Sequence, residues 1–113
     1  MKRKPLSIRE RANYHSLEDV VGCKWSTGVV VAIGAGVKRP GELERYIPGI
    51  STKVLNERLR KLLAYGLISR KEFSGLPARV DYELTASGRE LARILEQLRE
   101  QNGEHQSRSF QHT

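Results

Sequence analysis

Lys53, Asn56, Glu57 and Arg60 recur at i, i+3, i+4 and i+7 in the stretch from Thr52 to Tyr65. On a helix such positions share one face, because residues three and four apart are surface neighbours. Their side chains are those that read bases. Asn bonds both N6 and N7 of adenine, Arg or Lys bonds O6 and N7 of guanine, and Glu accepts from cytosine N4. The bland alternative is a solvated face in which Glu57 pairs with Arg60 or Lys61. Further groups flank this stretch. Ser51 and Thr52, with the first N–H groups of the helix, suit a phosphate oxygen at the positive end of the helix dipole. Lys38 and Arg39 stand just before a short helix, Arg70 and Lys71 on an expected strand, and Arg79 at the start of the next. Arg79, beside Pro77, is placed to enter a minor groove. Singly, each cation reads as a solvated residue; together they outline a surface for duplex DNA.

Catalysis finds no such pattern. His15, His105 and His112 have no ligand spacing between them, and Cys23 is the single cysteine, so neither a multi-cysteine zinc site nor an intrachain disulfide is available. Gly34-Ala35-Gly36 lacks the rest of any phosphate-cradling fingerprint. No nucleophile, base and orienting group occur together. The expectation is a protein that is not an enzyme, with no cofactor and no metal.

These residues need elements to position them. Val54, Leu55, Leu59, Leu62 and Leu63 form an apolar stripe opposite the polar face, so Thr52 to Tyr65 reads as a helix capped by Ser51 and ended by Gly66. Pro40 suits a first helical position and opens a short helix to Tyr46, closed by Ile47-Pro48-Gly49. Upstream, Ser16-Leu17-Glu18-Asp19 fits a capping box opening a short helix that stops at Gly22. Residues from Ile8 onward can also be helical. Trp25 to Ile33 is almost wholly apolar; its β-branched run fits a strand or a buried helix, and the context favours the helix. Leu67 to Phe73 and Arg79 to Leu84 alternate as two strands around a Ser74-Gly75-Leu76-Pro77 turn. Thr85 caps a last helix to about Gln101.

The order helix, helix, short helix, long helix, hairpin, helix predicts a mainly α chain with a small β-hairpin, a winged helix-turn-helix. Residues 1–15 are expected as a basic arm and the start of a dimerisation helix, 16–101 as the domain, and 102–113 as a disordered polar tail. The last helix carries Leu91, Ile94, Leu95 and Leu98 on one stripe. A palindromic site needs a two-fold partner, so this stripe is the candidate dimer interface, aided by Ile8 and Tyr14.

At 113 residues the chain allows one domain with one modest core. Lysine and arginine number 20 against 13 acidic residues, a net charge of +7, which attracts polyanions. No apolar run approaches the roughly 20 residues of a membrane span. There is no signal-peptide core near the basic start either. The expected location is the cytoplasm, and no membrane association is expected.

Five short motifs in order carry a resemblance. Val21-Gly22-Cys23-Lys24-Trp25 before an apolar helix resembles the "GGKW" signature of the HxlR-type winged-helix regulators, relatives of the MarR group. Lys38-Arg39-Pro40-Gly41-Glu42-Leu43 resembles their "KRFNEL", and Ile47-Pro48-Gly49-Ile50-Ser51 their "LPGIS". Leu59-Arg60-Lys61-Leu62 with Tyr65-Gly66-Leu67-Ile68 resembles "LRELEEDGLI". Pro77 to Thr85 with Gly88 resembles "PPRVEYSLTxxG". The match spans Ser16 to Leu98. It implies a homodimeric prokaryotic transcription factor that dimerises through its first and last helices. By the same resemblance, Ser51, Thr52, Lys53, Asn56 and Arg60 take recognition-helix positions and Arg79 that of the wing arginine. Many members carry a sensor cysteine in a "CPVE" motif; its place falls at about Ala12, where Ala12-Asn13-Tyr14-His15 lacks it. Cys23 replaces a signature glycine in an expected packed position, where a thiol is usually inert.

The expected function is a sequence-specific DNA-binding regulator, a repressor, acting as a homodimer on a pseudo-palindromic operator. The rival is a winged-helix module whose basic face serves a protein or RNA. A small-molecule effector has little pointing to it beyond Trp25 and nearby aliphatic residues, which a packed core explains better.

Overall fold

The structure is a computed structural model that describes residues 5–21 and 24–111; Gly22 and Cys23 lie outside the described residues. Its elements are α1 (Ile8–Val21), α2 (Lys24–Gly34), α3 (Pro40–Tyr46), α4 (Thr52–Ala64), β1 (Ile68–Phe73), β2 (Arg79–Leu84) and α5 (Ala86–Gln111). The helix-turn-helix of α3 and α4 followed by a two-stranded antiparallel hairpin makes this a winged helix-turn-helix. Among the described residues, no helix is long and apolar enough to cross a membrane.

The ambiguous run from Trp25 to Ile33 is helix α2, and the packing explains why β-branched residues serve there. α2 touches α1, α3, α4, α5 and β2, so it is enclosed on several sides. Val29, Val30 and Ala32 are wholly buried. Burial of so apolar a surface outweighs the few tenths of a kcal/mol per residue by which valine disfavours a helix. Around α2 the core closes with Leu43 of α3, Leu55, Leu59 and Leu62 of α4, Ile68 and Tyr82 of the hairpin, and Leu91 of α5.

The first helix differs from expectation. It does not open at Ser16 but runs unbroken from Ile8, across the boundary placed between residues 15 and 16. The capping box sits at Ser7-Ile8-Arg9-Glu10 instead. The Ser7 Oγ accepts from the Glu10 N–H at 3.1 Å, and the Ser7 N–H donates to the Glu10 carboxylate at 3.1 Å. Ser16 lies inside this continuous helix rather than at an open start, and the Asp19 carboxylate is engaged by Tyr65 and Lys61 of the α4 end. The last helix also differs, continuing to Gln111 where a polar tail is expected from residue 102. That segment lacks proline, and its one glycine, Gly103, costs a helix only about 1 kcal/mol.

Two glycines hold the corners around the hairpin. Gly66 follows α4 with φ of 73°, a left-handed turn that favours glycine. The turn is a Schellman motif, in which the Gly66 N–H donates to the Leu63 carbonyl and the Leu67 N–H to the Leu62 carbonyl, each at 3.0 Å. Gly88, in the first turn of α5, approaches the chain leaving α4 so closely that a Cβ there would lie 1.9 Å from the Leu67 carbonyl oxygen. Thr85 joins the same corner. Its hydroxyl donates to the Gly66 carbonyl at 2.6 Å and accepts from the Gly88 N–H at 3.1 Å, capping α5 as expected.

Candidate nucleic-acid interface

Helix α4 is built as its pattern requires. Ser51 is the N-cap, with extended backbone, and its hydroxyl accepts from the Val54 N–H at 3.1 Å. The apolar stripe turns inward, and Lys53, Asn56 and Arg60 are exposed on the other side, with Glu57 half-buried beside them. Glu57 approaches Arg58 at 4.0 Å, not Arg60 or Lys61. Lys53 and Arg60 make no ion pair among the described residues, so both present full charge to solvent. Thr52 is differently placed: its hydroxyl donates to Glu44 of α3. That hydrogen bond ties the two helices of the motif together and leaves Thr52 its backbone N–H, rather than its hydroxyl proton, to offer a phosphate.

The far end of α4 is tied to α1. The Tyr65 hydroxyl donates to Asp19, and Lys61 Nζ lies 3.6 Å from the same carboxylate. The Tyr65 hydrogen bond, helped by the positive charges of Lys61 and Arg58 and opposed by burial, holds the Asp19 carboxyl below its ordinary pKa. The same bond pushes the Tyr65 hydroxyl above its ordinary value.

In the hairpin the register decides which cations act together. Lys71 lies opposite Asp81 and Phe73 opposite Arg79, whereas Arg70 lies opposite Tyr82. Successive residues of a strand point to opposite faces. Lys71 and Arg79 therefore share one face, and Arg70 lies on the other, with Tyr82 and Val80. Arg70 and Lys71 are on one strand as expected, but on opposite faces, and Arg70 pairs with Glu72 on its own strand. On the shared face the Arg79 guanidinium carbon stands 4.3 Å from the Phe73 ring centre, and Lys71 Nζ 5.3 Å from it, both within cation–π range.

The loop before α3 closes onto this face. The Tyr82 N–H donates to the Lys38 carbonyl at 2.8 Å, and Lys38 Nζ meets Glu83 at 3.2 Å. Arg39, the N-cap of α3, reaches Asp81 at 3.7 Å, and Arg79 reaches the same Asp81 oxygen at 3.6 Å. The sequence reading found the cations and missed the partners that hold them: Phe73, Asp81, Glu83 and Glu44. A signal for the first two was present, since with the turn at residues 74–78 the alternation of the strands puts Phe73 and Asp81 on the Arg79 face.

The candidate dimer residues divide. Leu91 is buried in the chain's own core and Leu95 packs against it, so Leu91 is not free for a partner, contrary to its place in the predicted stripe. Ile94 and Leu98 are exposed. On α1, Tyr14 and Val21 are exposed too, and Ile8 is 90% exposed, leaving apolar surface at both ends of the chain.

Comparison with known proteins places this geometry. The HxlR-like helix-turn-helix family model matches residues 20–110. YkvN of Bacillus subtilis, an uncharacterized HTH-type transcriptional regulator, is 42% identical over 81 residues, which span 72% of this chain and 69% of YkvN. YtcD of the same organism, another HTH-type transcriptional regulator, is 37% identical over 98 residues, spanning 87% of this chain and 75% of YtcD. The crystal structure of YtcD superposes with a TM-score of 0.76 at 33% identity, covering 90% of this chain and 99% of that one. A MarR-family regulator from Enterococcus faecalis V583 gives a TM-score of 0.74 at 30% identity, covering 97% and 99%.

Proposed function

The chain belongs to the HxlR-like helix-turn-helix family, and from that premise we propose that this DNA-binding transcriptional regulator acts as a homodimeric repressor on a pseudo-palindromic operator. The observation that carries the reading is the exposed face of α4, where Lys53, Asn56 and Arg60 stand at base-reading spacing and the two cations have no acidic partner among the described residues. Each α4 enters a major groove, with half-sites one helical turn or a small multiple apart. Ser51, the Thr52 backbone, Lys38 and Arg39 hold phosphates, and Arg79 lies at the minor groove with Lys71 behind it. Arg70, on the other face of the hairpin, contributes charge at longer range.

The dimer forms through α1 and α5. Ile8, Tyr14, Ile94 and Leu98 supply exposed apolar surface that a second copy would cover. The protein works by binding in the cytoplasm and not by catalysis.

Selection of random duplex DNA by the purified protein, with the mass of the complex read alongside, tests this. The expected result is a palindromic motif carrying two chains per duplex. Enrichment of no sequence, with only weak salt-labile binding, would overturn it and leave the basic surface as a docking face for protein or RNA.

A further inference from the structure

We infer that Asp81 is a specificity-determining positioning residue, whose carboxylate sets Arg39 and Arg79 in fixed relation so that the hairpin discriminates between duplexes instead of adhering to all of them. The inference rests on the DNA-binding reading above and adds to it a residue that carries the wrong charge for a DNA surface.

Three observations support it. First, one carboxylate oxygen serves two cations from different parts of the chain. Oδ1 lies 3.7 Å from Arg39 Nε, at the start of α3, and 3.6 Å from Arg79 Nε, on β2. The acid thus links the helix-turn-helix to the wing at the points where both would meet the duplex. Second, the acid is sheltered and the bases are not: the Asp81 side chain is 14% exposed, those of Arg39 and Arg79 48% and 46%. The guanidinium groups can therefore reach a phosphate or a groove without Asp81 moving. Third, Oδ1 is buried and accepts no hydrogen bond among the described residues. A buried carboxylate kept only for stability is normally satisfied by hydrogen bonds, since an unmet acceptor costs free energy. Here both contacts are longer than a hydrogen bond. They draw both guanidinium groups toward one point and leave the donors available for exchange.

The surroundings sharpen the geometry. Arg79 also lies over the Phe73 ring, so the ring and the carboxylate together limit its course. Lys71 is the cross-strand partner of Asp81. Without the acid, three cations gather at one end of the hairpin, repel one another and spread over many orientations. Such a cluster attracts any phosphate chain more strongly and selects less.

The test compares Asp81→Asn with Glu83→Gln, which removes the same charge from the neighbouring Lys38 pair. Affinities are measured for the selected duplex and for random duplex over a salt series, with thermal unfolding beside them. Asp81→Asn is expected to tighten random binding, to steepen the salt dependence by about one unit, and to lower the specific-to-random ratio on the order of tenfold, the effect of one mis-made groove contact. Glu83→Gln is expected to tighten both and keep the ratio. Asp81→Glu keeps the charge and lengthens the arm, so it should lower the ratio with the salt dependence unchanged, and it carries the test if Asp81→Asn does not fold. Equal ratios in the two charge-removing variants would reduce Asp81 to one more negative charge and overturn the inference. A parallel fall in both affinities with a lower unfolding temperature would overturn it in favour of a structural role. A wild-type protein that prefers no sequence overturns the regulator reading itself, whereas a selective wild type with an equally selective Asp81→Asn variant overturns this inference alone.

Discussion

The exposed face of α4 and the hairpin with its adjoining loop are both cationic, yet they hold their charge in different ways. On α4, Lys53 and Arg60 have no carboxylate partner among the described residues. Around the hairpin, Lys38 faces Glu83, Arg39 and Arg79 share Asp81, and Arg70 faces Glu72. An unpaired side chain keeps its full field and its rotamer freedom, which suits a base edge whose position varies with sequence. A cation in an ion pair is pre-aimed, and for an exposed pair such as Lys38–Glu83 exchanging the partner for a phosphate costs little, because such pairs contribute only about 0–1 kcal/mol. In the interface proposed above, the unpaired cations of α4 meet bases directly while those around the hairpin are held in place by their acids, and the way to break or sharpen that contrast is to perturb the two regions separately.

The largest effect is expected at Gly88, where the hairpin base meets α5. A methyl group 1.9 Å from the Leu67 carbonyl oxygen cannot be accommodated without moving backbone. Gly88→Ala should cost roughly 3 kcal/mol or more, seen as a lowered thermal unfolding midpoint, and should weaken α4 and hairpin contacts together. An unchanged midpoint would show that the corner yields freely.

Next comes Asn56→Ala, expected to lose about 1–3 kcal/mol on the selected duplex and nearly nothing on random DNA. Lys38→Ala is expected to do the opposite, lowering affinity for every sequence alike and flattening the salt dependence by about one unit. Titrations of both variants against both duplexes decide the matter; matching profiles would erase the distinction between reading and holding.

The smallest effect concerns the tie between α1 and the end of α4. Asp19 has a lowered folded-state pKa because Tyr65 donates to its carboxylate, so its contribution is present above the ordinary carboxylate range and lost as the pH falls below it. Tyr65 has a raised one, so its contribution is present below the ordinary phenol value near 10 and lost as the pH rises past it. Tyr65→Phe should flatten both arms of the stability-against-pH curve. Identical curves for the variant and the parent would show that the hydrogen bond is not maintained in solution.

Much of this was legible in the residues. The stripe of Leu55, Leu59 and Leu62, the Ser51 cap and the Gly66 stop located α4 to within a residue, because each is a local signal between near neighbours. The same holds for β2 and for the Thr85 cap. Helix α1 was misplaced because the Ser16–Asp19 pair matches a capping box although the helix already runs through it from Ile8, and the pair at Ser7 and Glu10 that does open the helix was passed over. Among the candidate site residues, those on α4 were found by periodicity. The partners of the hairpin cations were missed because a search for positive charge passes over the acids and the ring that orient it.

The amino-acid sequence by itself determined the order of elements, the polar face of α4 and the surplus of positive charge, since caps, turns and amphipathic spacing act over three or four residues. Tertiary structure alone decided which groups meet. It put Lys71 and Arg70 on opposite faces through the strand register, and it buried Leu91 while leaving Ile94 and Leu98 exposed. It also brought Arg39 to Asp81 across 42 residues of chain, from position 39 to position 81. Such encounters depend on how whole elements pack around α2. No local rule of spacing contains that information, because the free energy that places them is the burial of the shared core.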